Sequence, residues 1–254
     1  MSKFDGFIKR SRDKEIESDL ENHFKSYKIQ PLESLNLFPV YVRRQLLKRF
    51  LARIELFKIT MEVPGDIAEL GVFRGFDLLT WANLLECYCI GNRTKVVYGF
   101  DNWLGFESLH KLDGVEDKES ERYIGAYSPS QYEDELRDAI KIFDKDRFIP
   151  EKKRIELIKG NISSTVPEFL NANPGIKFSL IHFDCDMYEP TIAALRAIWS
   201  HLSIGGVIIF DEYAIKDWPG ETAAIDEFFQ DKKVNIKTFT WTNSPAAYMI
   251  KESY

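Results

Sequence analysis

The chain has 254 residues, of which 44% are hydrophobic and 14% aromatic, and its formal net charge is -6. This length and composition support one well-buried catalytic core with a small appended cap. The acidic residues are interspersed with lysines and arginines, so the sequence has no basic stripe of the kind that binds phosphate backbones. Nucleic acid is therefore not an expected partner.

The sequence gives little indication of a membrane-spanning segment, a signal peptide, a disulfide framework or a zinc site. No apolar run approaches the roughly 18 residues needed to span a bilayer, and the amino end is too charged to hold a signal-peptide core. The cysteines Cys87, Cys89 and Cys185 form no C-x-x-C pair, which argues against a disulfide framework or a zinc site. We therefore expect a cytoplasmic protein that does not bind membranes, and we expect it to form a homo-oligomer.

Residues 1–60 are predicted to form a helical arm or cap. The stretch 2–30 is charged and only weakly periodic, which favours a loosely attached helix. In the stretch 39–60, apolar residues recur at spacings of three and four, with arginines and lysines between them. This pattern predicts an amphipathic helix that leads into the catalytic domain, which we assign to residues 61–254.

From residue 61 onwards, short apolar runs alternate with helical patterns. Strands are predicted at 66–70, 96–100, 155–159, 178–183 and 207–210, and helices at 77–88, 132–143, 166–170, 191–201 and 222–229. A polar insertion over 102–130 carries glycines that would act as the pivots of a lid. Two β-rich runs, 235–242 and 246–251, predict a closing hairpin.

Strand, crossover and strand in this order predict a parallel sheet. With the closing hairpin, the predicted fold class is α/β, of the class I methyltransferase, Rossmann-like, doubly wound type. We expect a mostly parallel seven-stranded sheet with a C-terminal antiparallel hairpin and an N-terminal helical cap. Ligands bind beyond the carboxyl ends of the strands in such sheets, so the residues that follow each strand are the first candidates for a site.

The turn after the first strand, residues 69–75, is punctuated by glycines. Gly71 and Gly75 would let the backbone approach a ligand closely, and the Glu69 carboxylate would accept hydrogen bonds from an ammonium group. Arg74 lies in the same turn and joins them as a candidate for cofactor binding. The alternative is a tight turn that only packs a helix on a strand.

The second and third strands are also followed by candidate cofactor contacts. Asp101 offers two acceptor oxygens to the vicinal hydroxyls of a ribose, although a turn or helix cap is an alternative role. Gly160, Asn161 and Ile162 follow the third strand, where a small residue and an amide would frame an adenine edge.

Carboxylates follow the fourth and fifth strands. Asp184 and Asp186 come directly after the fourth strand, and Asp211 and Glu212 end the fifth. Adjacent parallel strands bring these acids together, where they would repel one another unless a cation binds. Carboxylate oxygens suit a hard divalent cation, and magnesium is the expected ion. In the structural alternative, each acid caps a helix or pairs with a nearby base such as Arg196.

Three blocks of the sequence, 65–75, 182–191 and 205–213, resemble the macrocin O-methyltransferase family, whose members methylate sugar hydroxyls of macrolide, aminocoumarin and related natural products. The resemblance implies S-adenosylmethionine as methyl donor and magnesium as cofactor. It also implies roles for individual residues, with Asp184, Asp211 and Glu212 as metal ligands, Glu69, Gly71 and Asp101 as donor contacts, and Asp186 as the catalytic base.

Two positions depart from the family pattern. Cys185 stands where the family usually has glycine, and Glu212 stands where it has a second aspartate. Glutamate remains a hard oxygen ligand, but its side chain is longer by one methylene. Catechol-type relatives carry lysine at the position of Met187, and without that lysine Asp186 is the nearest base by sequence.

Aromatic residues near the strand ends are predicted to bind the acceptor, because their faces suit the apolar C–H edges of sugar rings. The candidates are Trp103 and Phe106 in the insertion, together with Tyr188, Tyr213 and Trp218, and ordinary packing is the alternative for each.

The predicted function is S-adenosylmethionine- and magnesium-dependent O-methylation of a sugar hydroxyl in a natural product, sugar nucleotide or glycan. One alternative is a glycosyltransferase, because Asp184, Cys185 and Asp186 also form a D-x-D sequence. Further alternatives are a catechol-like O-methyltransferase that acts on a non-sugar vicinal diol and a non-catalytic protein that retains donor binding.

Overall fold

The computed structural model describes residues 11–128 and 130–253. Its strands are β1 (Asp66–Leu70), β2 (Val97–Asp101), β3 (Ile155–Lys159), β4 (Phe178–Phe183), β5 (Leu202–Phe210) and β6 (Ala247–Ile250). Its helices are α1 (Ser11–Tyr27), α2 (Pro31–Asn36), α3 (Phe38–Tyr41), α4 (Arg44–Ile59), α5 (Phe76–Tyr88), α6 (Ser130–Asp146), α7 (Ile162–Ala172), α8 (Tyr188–Ile198) and α9 (Pro219–Phe229). Short 3₁₀ helices span Lys111–Asp113 and Trp199–His201.

The strands form one sheet in the order β3-β2-β1-β4-β5-β6, in which β1 to β5 are parallel and β6 is antiparallel to β5. This is the doubly wound α/β arrangement that the sequence predicts. The direction of winding reverses between β1 and β4, which lie side by side at the centre of the sheet. In such folds, ligands bind at the carboxyl ends of the strands beside this switch point.

Apolar cores cover both faces of the sheet, because successive residues of a strand point to opposite faces. In β4, Leu180 packs in one core with Trp81 of α5, while Ile181 packs in the other core with Leu195 of α8. The strands that carry the predicted site residues are thus held by packing from both sides.

Helix α4 packs onto the core beside α5 through Leu56 and Phe57. The helix predicted over 39–60 is interrupted near its start, because the backbone is extended at Val42 and Arg43. The interruption separates the short helix α3 from α4.

Arg43 ties α1 to the start of α4. Its guanidinium pairs with Asp13, and its Nη1 lies 3.0 Å from Oε1 of Glu17. The extended backbone at this residue therefore coincides with a connection between two N-terminal helices.

The sheet has six strands within the described residues rather than the predicted seven. The first arm of the predicted hairpin, 235–242, meets β6 only at the bridge between Lys237 and Tyr248. Just before β6, the backbone N–H of Ala246 donates to the carbonyl of Asp211, 3.2 Å away, on the β5 side. The second arm forms β6, as the sequence predicts.

The insertion between β2 and α6 is anchored to the residues around the starts of α8 and α9. Oδ1 of Asp113 accepts a hydrogen bond from the backbone N–H of Tyr188 at the start of α8, with 2.8 Å between the atoms. Arg122 donates to the carbonyl of Asp217, which lies just before α9. These contacts hold the insertion against the connections that follow β4 and β5.

Within the described residues, no helix is long and apolar enough to cross a membrane. The division into an arm over 1–60 and a domain over 61–254 stays a prediction. The action of the insertion as a lid, the cytoplasmic location and the homo-oligomer also stay predictions.

Candidate active site

A cavity of about 750 Å³ opens at the carboxyl ends of the parallel strands. Most of the predicted site residues line it: Glu69, Gly71, Arg74, Gly75, Asp101, Gly160, Asn161, Ile162, Asp184, Asp186, Asp211 and Glu212. The fold brings the predicted donor and metal residues together. Of the predicted acceptor-binding aromatics, Phe106 lines the cavity, whereas Trp103, Tyr188, Tyr213 and Trp218 do not.

The turn after β1 packs directly against the end of β4. Gly71 has a φ of +93°, and a Cβ added there would lie 1.9 Å from the carbonyl oxygen of Asp184. A Cβ added at Gly75 would lie 2.3 Å from Cδ1 of Leu136. Packing against backbone therefore requires Gly71, while the φ of +82° at Gly75 favours glycine there. Their contact with a cofactor stays a prediction.

Asp101 organises the same turn through backbone hydrogen bonds. Its Oδ2 accepts from the N–H groups of Val72 and Phe73, each at 2.8 Å, and its Oδ1 accepts from the N–H of Trp103 at 2.7 Å. The turn-capping role that the sequence left open is therefore present. Asp101 also lines the cavity, so a ribose contact remains compatible with its position.

Two further cofactor candidates are held by α6 and by the insertion. The guanidinium of Arg74 lies 4.4 Å from the centre of the Tyr132 ring, and its Nη2 is 2.7 Å from Oε1 of Glu135. Asn161 caps the start of α7 and donates to the Glu107 carboxylate. These contacts hold two residues of the cavity wall in place.

The four predicted strand-end carboxylates are crowded and largely buried. Burial, followed by the charge of Asp211, raises the pKa of Asp184 to about 8 and that of Asp186 to about 7. Burial, followed by the charge of Asp186, raises the pKa of Glu212 well above its usual value. Burial acts in the same direction on Asp211, but the positive charge of Arg53 contributes to a net lowering of its pKa. A bound cation would relieve the repulsion among the other three.

Two arginines of α4 reach into this cluster, and the sequence analysis did not identify them. Arg53 is fully buried and donates from Nε and Nη2 to the two oxygens of Asp77, at 2.8 and 3.1 Å. Its Nη2 also lies 2.8 Å from Oδ1 of Asp211. Arg49 pairs with Asp77 as well, and its Nη2 lies 3.5 Å from Oδ2 of Asp184.

The sequence contains a pattern that indicates burial of Arg49 and Arg53. Arg49, Ala52, Arg53 and Leu56 follow the spacing of one helix face, and the last three are fully buried. Two arginines on the apolar face of an amphipathic helix require buried acidic partners. The search for such partners would have included Asp77, the acid in the first turn of α5.

The cluster fits a hard divalent cation by the chemistry of its donors. Within the described residues, the carboxylates of Asp186 and Glu212 accept no hydrogen bond and form no ion pair, and both line the cavity. The side-chain contacts of Asp211 with Arg53 and Ser244 are made through Oδ1. Carboxylate oxygens thus remain available for a cation such as Mg²⁺.

Asp186 also adopts an unusual backbone conformation. Its φ is +63°, which lies in the left-handed region that is costly for a residue with a Cβ. Such conformations cluster at functional sites, where the surrounding structure holds them in place.

A second metal-like grouping lies deeper in the protein. Ligand atoms of Asp77, His182 and Asp184 lie within 4.8 Å of one another. Both oxygens of Asp77 already accept from Arg53, and His182 is fully buried beneath the cluster. Among the described residues this is the one group of three such ligand atoms that lie so close together, and of the predicted metal ligands it contains Asp184.

Glu69 has the properties expected of a residue that binds a cationic group. It is 1% exposed, lines the cavity, and has a buried Oε2 with no hydrogen-bond partner among the described residues. Burial, followed by the charges of Asp77 and Asp184, raises its pKa well above the usual value. An ammonium group in the cavity would compensate this buried carboxylate.

The two tyrosines predicted to bind the acceptor form hydrogen bonds outside the cavity. The Tyr188 hydroxyl donates to Glu227 at 2.6 Å, and its ring stacks on His110 with 4.5 Å between the centroids. The Tyr213 hydroxyl donates to Asp226 at 3.0 Å. Both tyrosines therefore bind acids of α9.

Trp218 is buried behind two aromatic residues that do line the cavity. Its ring centroid lies 5.9 Å from that of Phe106 and 6.3 Å from that of Tyr127. The sequence prediction did not select Tyr127, whose position at the cavity depends on the path of the long insertion.

The sequence model of the Macrocin-O-methyltransferase (TylF) family matches residues 41–249. The chain belongs to this family. The match confirms the resemblance that the three sequence blocks indicate, and it covers α4, the five parallel strands and most of β6.

Two curated relatives carry O-methyltransferase names. The 8-demethyl-8-(2,3-dimethoxy-alpha-L-rhamnosyl)-tetracenomycin-C 4'-O-methyltransferase of Streptomyces olivaceus is 27% identical over 157 residues, which cover 60% of this chain and 54% of the relative. The demethyldecarbamoylnovobiocin O-methyltransferase of Streptomyces niveus is 25% identical over 170 residues, which cover 65% of this chain and 58% of the relative. The chain thus spans less than two thirds of the length of these relatives.

Solved structures of this fold are also similar. A crystal structure of CalS11, described as a calicheamicin methyltransferase, has a TM-score of 0.88 and 29% identity, with 96% of this chain and 94% of that chain covered. An apo structure of CalS11, described as a TDP-rhamnose 3'-O-methyltransferase, has a TM-score of 0.80 and 27% identity, with 96% of each chain covered.

Proposed function

We propose that this protein is an S-adenosylmethionine-dependent O-methyltransferase that methylates a sugar hydroxyl of a natural product, sugar nucleotide or glycan, with Mg²⁺ as cofactor. The observation that carries the proposal is the cluster of Asp184, Asp186, Asp211 and Glu212, which lines one cavity with the turn after β1 in a chain of the macrocin O-methyltransferase family. The rhamnose in the names of the tetracenomycin and calicheamicin relatives supports a sugar acceptor.

The methyl donor would lie across the carboxyl ends of β1 to β3. Glu69 would accept hydrogen bonds from its ammonium group, and Asp101 would face its ribose while holding the turn after β1. Gly160, Asn161 and Ile162 would frame the adenine. S-adenosylmethionine supplies an electrophilic methyl group, so that an O–C bond to the acceptor forms as the S–C bond breaks.

Asp184, Asp211 and Glu212 would hold the Mg²⁺, with Arg53 fixing one oxygen of Asp211. Mg²⁺ bound there would supply a Lewis acid that orients neighbouring sugar hydroxyls and favours loss of a proton. Asp186 would accept that proton, because it lines the cavity two residues after Asp184 and its carboxylate has no partner among the described residues.

The acceptor would lie against the aromatic side of the cavity. Phe106 and Tyr127 line this side, and Trp218 would support them from behind. Tyr188 and Tyr213 would contact only those parts of an acceptor that extend beyond the cavity.

Calorimetry with S-adenosylmethionine tests donor binding directly. We expect micromolar binding to the wild-type protein, and no comparable binding of a nucleotide sugar in the absence of the donor. The matched variant Asp226→Asn, which changes an acid of α9 outside the cavity, should bind the donor as the wild type does. Tight binding of nucleotide sugars with no binding of the donor would favour the glycosyltransferase alternative and refute the proposal.

A further inference from the structure

Asp77 is a buried acid that the proposed chemistry does not use. It lies in the first turn of α5 and is 1% exposed. Its Oδ1 accepts from Nε of Arg53 at 2.8 Å, and its Oδ2 accepts from Nη2 of Arg53 at 3.1 Å and from Arg49. One carboxylate thus holds two guanidinium groups of α4.

Each of these arginines also reaches a different strand-end carboxylate. Nη2 of Arg53 lies 2.8 Å from Oδ1 of Asp211, which follows β5. Nη2 of Arg49 lies 3.5 Å from Oδ2 of Asp184, which follows β4. Asp77 is therefore connected through one arginine to each of two proposed metal ligands.

We propose that Asp77 and Arg53 are positioning residues that set the orientation and availability of the metal-binding carboxylates, so that α4 and α5 determine the affinity of the site for a divalent cation. This inference rests on the proposed function for its assignment of Asp184 and Asp211 as ligands. Hydrogen-bond partners that orient metal ligands commonly change metal affinity by about 10- to 100-fold when they are removed.

The charges of the network explain the direction of the effect. Asp77 neutralises part of the positive charge of Arg49 and Arg53, both of which approach carboxylates that a cation requires. Without the Asp77 charge, the two guanidinium groups would turn wholly to Asp184 and Asp211 and compete with the cation. Removal of the acid should therefore weaken cation binding, although both oxygens of the acid are already held by Arg53.

A purely structural role for the network makes a different prediction, and the protein contains a matched control. Glu86, near the other end of α5, accepts from Nε of Arg154 at 2.8 Å and from Nε of Arg147 at 3.2 Å. Arg154 is 3% exposed and directly precedes β3. It therefore lies at the amino-terminal end of that strand, away from the carboxyl ends where the cavity opens. Glu86→Gln thus removes the charge of an acid that also binds two arginines. The strand-end carboxylates do not belong to this cluster and are left unchanged.

Mn²⁺ is a suitable probe because it binds the same oxygen donors as Mg²⁺. The experiment is calorimetric titration of Mn²⁺ into full-length wild-type protein, Asp77→Asn, Arg53→Lys and Glu86→Gln, with S-adenosylmethionine affinity and thermal unfolding measured on the same samples. We expect the Mn²⁺ dissociation constant to rise about 10- to 100-fold in Asp77→Asn. In Arg53→Lys we expect a rise of about tenfold, because lysine keeps the charge but cannot span both carboxylates. Glu86→Gln should bind Mn²⁺ as the wild type does.

Each result has a distinct meaning. A folded Asp77→Asn that binds Mn²⁺ as tightly as the wild type overturns the inference, and so does an equal loss in Glu86→Gln. If Asp77→Asn does not fold, Arg53→Lys decides the question by the same criterion. A wild-type protein that binds no Mn²⁺ refutes the metal assignment of the proposed function, and the inference falls with it. If Mn²⁺ binds as expected but no acceptor is methylated, the proposed function fails while the inference stands.

Discussion

Both ends of α5 carry an acid that binds two arginines, but the two clusters differ in what surrounds them. Asp77, in the first turn, binds Arg49 and Arg53 at the carboxyl edge of the sheet. Glu86, in the last turn, binds Arg147 and Arg154 at the opposite edge. The local chemistry of the acid and its two arginines is the same in both places.

The two ends of α5 differ in whether nearby carboxylates are left without a partner. At the Glu86 end, Arg147 also pairs with Asp144, and Arg154 donates to the carbonyls of Asn92 and Lys95. At the Asp77 end, carboxylates are in excess, and among the described residues those of Asp186 and Glu212 have no hydrogen-bond or ion-pair partner. Buried arginine pairs alone therefore do not indicate a functional site, whereas uncompensated carboxylates beside them do.

The largest expected effect is the loss of turnover when Asp186, the proposed base, is replaced. Asp186→Asn should lower kcat by about 10²- to 10⁴-fold, the usual contribution of a positioned general base, with donor affinity nearly retained. Initial rates of S-adenosylhomocysteine formation and calorimetry with the donor measure the two quantities. The matched change at the other cluster, Asp144→Asn, should leave kcat unchanged. Unchanged turnover in Asp186→Asn would exclude Asp186 as the base.

At the Glu86 end, the expected effect is on stability instead of catalysis. Arg154→Met removes one partner of a buried ion pair and should lower the free energy of unfolding by about 3–5 kcal/mol. The folded variant should keep the kcat of the wild type, because the side-chain hydrogen-bond partners of Arg154, which are Glu86, Asn92 and Lys95, do not line the cavity. Urea denaturation and assays at low temperature test both parts. A large fall in kcat of the folded variant would show that the Glu86 cluster also affects catalysis, and would contradict the distinction between the two clusters.

The smallest expected effect concerns the aromatic side of the cavity. Trp218→Leu removes ring contacts with Phe106 and Tyr127, which are worth about 0.5–1.5 kcal/mol for a pair, so the acceptor KM should rise by at most about tenfold. Trp199→Leu is the matched control, because Trp199 packs on Phe228 and Phe229 and does not line the cavity. Equal effects of the two changes would show that Trp218 acts through general stability.

The parallel strands were predictable because their apolar runs are short, continuous and bounded by turn residues. The predicted bounds of β1, β3 and β4 agree with the structure, and the carboxylates after β4 and β5 lie at one edge because the strands are parallel neighbours. The sheet edge was less predictable. The arm over 235–242 carries a strand-like composition, but it meets β6 at the single bridge between Lys237 and Tyr248.

The arginines of α4 could not be placed from periodicity alone. The pattern 39–60 predicts an amphipathic helix, and charged residues between apolar positions normally face solvent. The burial of Arg53 depends on Asp77 and Asp211, which are 24 and 158 residues away in the chain. The helix pattern can therefore point to buried acidic partners, but which acids the arginines contact depends on the packing of α4 against α5 and β5.

The most direct test of the central claim is methyl transfer with and without the divalent cation. The measurement is S-adenosylhomocysteine release with rhamnose-containing acceptors, both nucleotide-linked and attached to a natural product, for the wild type and Asp184→Ala. We expect turnover that is lost on chelation, restored by Mg²⁺, and absent in Asp184→Ala at every Mg²⁺ concentration. Turnover that survives both chelation and Asp184→Ala would contradict the proposed metal site.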